Sequence, residues 1–85
     1  MLKKHISKDE ALLIYPCNSI HMFFMRFSID VLFVDKNNEI IYLLENFIPW
    51  KISRIIWKSY YVIELPCGTI KKTNTNIGDI IKIEY

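Results

Sequence analysis

Eighty-five residues suffice for one hydrophobic core and not for two. At 52% hydrophobic and 14% aromatic the chain is no disordered tail, and its apolar set is rich in Ile, Phe, Tyr and Val with a single alanine, so strands are expected before helices. The net charge of +2 comes from 11 basic and 9 acidic residues with no like-charge run beyond two, which argues against nucleic acid or an anionic membrane as partner.

The first ten residues start charged and lack the apolar run of a secretory signal. The most apolar stretch, 20–34, is broken by His21, Arg26 and Asp30 and cannot cross a membrane as a helix. A cytoplasmic protein of one domain, residues 1–85, is expected. Short β-rich runs follow at 12–15, 20–27, 29–34, 39–45, 55–65 and 80–85, separated by Pro16, Ser28, Asn37-Asn38, Pro49, Pro66 to Gly68 and Gly78-Asp79. One short helix is expected over 69–74, capped by Thr69. The fold class is therefore all-β and mostly antiparallel, a small barrel or rolled sheet with one short helix. Cys17 and Cys67 are expected as reduced thiols, serving as small buried hydrophobes.

The hairpin between the third and fourth runs is the most specific local feature. Asn37-Asn38 suits a two-residue type I′ turn, because Asn tolerates positive φ. That turn sets Lys36 opposite Glu39, Phe33 opposite Tyr42 and Asp30 opposite Glu45. One face then carries Ile29, Val31, Phe33, Ile40, Tyr42 and Leu44, the expected core. The other carries Leu32, Val34, Ile41 and Leu43 and ends in Asp30 and Glu45.

The motifs Pro16-Cys17-Asn18-Ser19-Ile20-His21, Phe23-Phe24-Met25-Arg26-Phe27 and Ile29-Asp30-Val31-Leu32-Phe33-Val34-Asp35 stand in one order with Glu45-Asn46, Pro49-Trp50, Glu64-Leu65-Pro66, Gly68-Thr69 and Ile77-Gly78-Asp79. Together, over about 12–85, they resemble the family called domain of unknown function 192. The resemblance implies a small, mostly antiparallel β fold with a short helix, found in bacteria and archaea, and it brings no activity with it. Family members commonly carry a further segment before the position of Leu12. Its shortness here implies an open sheet edge, and with it a homodimer as one outcome. Cys67 stands where the family usually has a small residue.

Two carboxylates, Asp30 and Glu45, on an otherwise apolar face need compensation by a cation or hydrogen-bond donors, and Arg26 and His21 lie close in sequence. This suggests a polar pocket mouthed by His21, Arg26, Asp30, Glu45 and Trp50, with Trp50 shielding it; the bland alternative is a turn brace and a rim charge. Cys17 and His21, four apart, form a weak metal or nucleophile pattern, and no metal or cofactor is expected. Gly68-Thr69 with Lys71 and Lys72 could hold an anion, or simply turn the chain. The segment 47–61, with Trp50, Trp57, Tyr60 and Tyr61, is expected to be pinned onto the sheet as a lid, or else to form an interface. The function expected is a small soluble binding module for a polar small molecule or a cation. The alternative is a protein-interaction domain using 47–61, with carboxylate-pair hydrolysis as the outsider.

Overall fold

The β-branched and aromatic runs become four strands in the computed structural model, which describes residues 11–19, 27–48 and 52–82. They are β1 (Leu12–Ile14), β2 (Ile29–Val34), β3 (Ile40–Phe47) and β4 (Tyr61–Pro66), with one helix, α1 (Thr69–Thr73). Every strand pairing is antiparallel and the order is β1-β4-β2-β3, so the expected all-β class with one short helix holds. Among the described residues the sheet stays open, as a rolled sheet does and a barrel does not. The expected 20–27 run lies outside the described residues except for Phe27. Of the expected 55–65 run only the part from Tyr61 is strand, and Ile80 makes a single bridge to Glu39.

The central strand β2 is buried over its whole length, because it pairs on both sides and is covered on both faces. Ile29, Val31 and Phe33 join Val62 in one cluster. Leu32 and Val34 join Ile40, Tyr61 and Ile70 in a second. Alternate residues of a strand point to opposite faces, so the two clusters lie on opposite sides of the sheet. The expectation of one core face and one outer face is corrected accordingly.

β3 has 8 residues against the 6 of β2, and the excess is taken up where the ladder slips, between Ile29 and Val31 and again between Phe33 and Val34. The second slip moves Ile40 to the Val34 side and leaves Ile41 packed with the Phe33 cluster, the reverse of the expected assignment. The turn is also not type I′. Only Asn38 has positive φ, at 63°, while type I′ requires it at two positions. The loop holds three residues: Asn38 N–H donates to the Asp35 carbonyl (3.1 Å) and Asp35 N–H to the Glu39 carbonyl (3.0 Å). The Asp35 carboxylate steadies it by accepting from the N–H groups of Asn37 (2.8 Å) and Glu39 (3.0 Å). The longer loop and the neighbouring bulge cancel, so Phe33 still faces Tyr42 as expected.

The chain end braces the start of β3. Ile40 N–H donates to the Asp79 carbonyl (2.9 Å), Gly78 N–H to the Ile40 carbonyl (2.8 Å) and Ile81 N–H to the Asn38 carbonyl (2.7 Å). α1 begins after Gly68 at φ 92° and ends at Asn74 at φ 54°. Thr69 is its first residue rather than its cap, and its hydroxyl donates to the Pro66 carbonyl (2.6 Å).

Candidate functional site

Asp30 faces the α1 side of β2, 1% exposed. One carboxylate oxygen accepts the Asn46 N–H (3.0 Å) at the bulge, where Asn46 has φ 53°; the other accepts the Ile70 N–H (2.8 Å) in the first turn of α1. The anion taken up by the helix start is therefore the protein's own, and Lys71 and Lys72 stand exposed in its last turn. Glu45 is exposed, and the ladder slip at Asp30 removes the expected cross-strand pair. The reason is physical: two like charges on a buried face are avoided when one extra residue can redirect the chain. The other expected pocket residues, His21, Arg26 and Trp50, lie outside the described residues.

Cys17 is half-buried and donates its Sγ–H to the Ser19 carbonyl (2.9 Å). Burial pushes its thiol pKa up, the wrong direction for a nucleophile. Cys67 is exposed, not a buried hydrophobe, and donates to Asn46 Oδ1 (3.2 Å); both thiols are free. Among the described residues no three His, Cys, Asp or Glu side chains gather as a metal-ligand set.

Glu64, which the sequence offers only as part of the Glu64-Leu65-Pro66 motif and with no site role, is buried on the Val62 face of β4, and burial raises its carboxyl to a pKa of about 7. Its trace in the sequence is a lone acid inside the apolar run Tyr61–Pro66.

The concave surface lies elsewhere. The segment before β4 is strapped across the sheet end: Ile56 N–H donates to the Asn18 carbonyl (2.8 Å), Cys17 N–H to the Tyr60 carbonyl (3.1 Å) and Tyr60 N–H to the Val34 carbonyl (2.7 Å). Ser59 closes a tight turn on Ile56, and its single hydroxyl proton is shared between the carbonyls of Cys17 (2.9 Å) and Tyr61 (3.1 Å). That turn lifts Trp57 and Lys58 beside the hairpin loop. The result is an open hollow of about 310 Å³ lined by Asp35, Lys36, Asn37, Trp57, Lys58, Ser59 and Tyr60. A second hollow of about 270 Å³, lined by Pro16, Cys17, Asn18, Ser59 and Tyr60, shares two of those residues.

Tyr60 is the wall between them. The Tyr15 ring meets it edge-on at 4.7 Å with the two hydroxyls hydrogen-bonded, and Lys36 Nζ lies 5.6 Å from its centroid. Trp57, expected to be pinned as part of a lid, is 81% exposed instead. Of this groove, sequence reasoning had singled out Trp57 and Tyr60, but only within a segment. Lys36, Lys58 and Ser59 carry no local mark, since the hairpin loop and the strap meet only in the fold.

Comparison with known proteins follows the same lines as the geometry. The family model DUF192, described as "Uncharacterized ACR", matches residues 1–83. The chain is 44% identical over 66 residues to a UPF0127 protein of Thermococcus sibiricus, covering 78% of this chain and 42% of that protein. It is 39% identical over 64 residues to UPF0127 protein PH1112 of Pyrococcus horikoshii, covering 75% and 55%. It thus spans about half the length of the curated relatives it matches. Among solved structures, a protein of unknown function from Novosphingobium aromaticivorans superposes with TM-score 0.79 at 16% identity, over 98% of this chain and 64% of that one, a likeness of fold alone. A protein described as a candidate transcription regulator from Sinorhizobium meliloti superposes with TM-score 0.70 at 25% identity, over 94% and 67%.

Proposed function

We propose that this chain, which belongs to the DUF192 family of uncharacterised proteins, is a small binding module whose groove between the hairpin loop and the 56–60 strap takes a polar small molecule. One observation carries the reading: two adjoining hollows share Ser59 and Tyr60, and both shared residues are held from behind by hydrogen bonds or ring contacts. A pre-formed concavity with convergent polar groups and an aromatic wall is what small-ligand sites require. Asp30 is left out of the site, because both its oxygens are engaged by backbone donors. A cation is the less favoured ligand, since the lining offers Lys36 and Lys58 against Asp35. The description of the Sinorhizobium meliloti protein as a regulator belongs to that protein, and the dispersed charge here gives it no support.

The test is amide chemical-shift mapping on the full chain against sugars, nucleotides, aromatic acids and divalent cations. Saturable shifts confined to residues 35–37 and 57–60 are expected for at least one class. Shifts centred elsewhere, or none that saturate, overturn the reading. A second reading, protein docking by the crossing segment, is supported by the exposure of Ile52 (57%), Ile55 (46%) and Trp57 (81%). Self-association that disappears in Trp57→Ala would favour it.

A further inference from the structure

We propose that the ligand of this groove is an organic anion carrying a flat ring, with the chemistry of a nucleoside monophosphate or an aromatic carboxylate; this rests on the groove reading above. Charge points to the anion. The lining holds two lysines and one carboxylate, and one oxygen of that carboxylate, in Asp35, is already held by two N–H groups of its own loop. Lys36 lines the hollow, and its Nζ lies 5.6 Å from the centroid of the Tyr60 ring that lines it too. Lys58 faces the same space from the strap. Two lysines from separate elements on the wall of one hollow give it a net positive lining, which favours an anion between them.

Exposure points to the ring. Trp57 presents its indole to solvent on the rim of the same hollow; at 81% it is more exposed than Tyr15 (52%) or Ile52 (57%), and its ring contributes to neither core cluster. An indole left in water beside a cationic hollow is a stacking surface waiting for a planar partner, and stacking on it asks for no particular hydrogen-bond pattern. A neutral sugar would use the indole and leave the lysines unanswered. Inorganic phosphate would use the lysines and leave the indole bare. A ring-bearing anion answers both.

The experiment titrates the full chain with AMP, 4-hydroxybenzoate, adenosine, inorganic phosphate and methyl glucoside, following tryptophan fluorescence and heat of binding. Saturable binding of AMP or 4-hydroxybenzoate is expected, at least tenfold tighter than adenosine or phosphate and weakening as salt is raised. Lys36→Gln with Lys58→Gln should weaken it at least tenfold at unchanged melting temperature. Trp57→Phe, which leaves Trp50 as the one indole of the chain, should abolish the fluorescence change. Methyl glucoside binding as tightly as either ring anion overturns the proposal while leaving the groove reading standing. No saturable binding by either ring-bearing anion, or binding indifferent to salt and to both lysines, also overturns it.

Discussion

Asp30 places a carboxylate in the interior at a point where two backbone N–H groups, those of Asn46 and Ile70, both donate to it. The Asn46 donor is freed by the bulge and the Ile70 donor by the helix start, so the side chain ties β3 and α1 to the central strand. Removing it with Asp30→Ala leaves both donors stranded and should cost about 2–5 kcal/mol in urea unfolding, more than Asp30→Asn, which keeps one acceptor oxygen. A loss below about 1 kcal/mol for the alanine variant would contradict this role. Glu64 acts in the opposite sense. Its carboxyl is raised from 4.5 to about 7 by burial, so between those values the folded chain binds more protons than the unfolded one. The contribution of Glu64 is thus fully present below about pH 4.5 and is lost as pH rises through 7, by on the order of 2 kcal/mol after allowing for its partial exposure to solvent. Glu64→Gln should flatten that slope and unfold at higher urea than wild type at pH 8. Coincident urea unfolding curves for wild type at pH 5 and pH 8 would refute it.

Elements show how local preference and tertiary demand divide the work. β2 was legible to the residue, because a six-residue β-branched and aromatic run bounded by Ser28 and Asp35 admits little else. β3 was legible in kind but not in detail. Its two bulges answer to the loop at one end and to Asp30 at the other, and neither requirement is local. α1, at 5 residues, is too short to hold itself and exists because Gly68 adopts φ 92° and Ile70 is buried in the second cluster. Gly68→Ala should cost about 1–2 kcal/mol through backbone strain alone, since an added Cβ would meet nothing within 4 Å. Thermal melts settle it: an unchanged melting temperature would mean the left-handed turn does not hold the helix in place.

At the scale of the whole molecule, one chain end and one crossing strap complete what the strands begin. Residues 78–81 brace the start of β3, and residues 56–60 tie the segment after β1 to the end of β2. By itself the sequence determined the class of fold, the strand at 29–34 and the short helix, because these follow from side-chain type and spacing along a few consecutive residues, whereas the expected Phe33–Tyr42 pairing holds through the cancelling of a longer loop and a bulge. It determined the family as well, through motifs that keep their order across the chain. Only the tertiary structure decided that Asp30 is engaged internally, that Ile40 and Ile41 exchange faces, that Glu64 is desolvated and that Lys36, Trp57 and Tyr60 share one groove. Each of those depends on which distant backbone or side chain arrives alongside. Hydrogen bonding, desolvation and charge act over a few ångströms in space, whatever the separation along the chain.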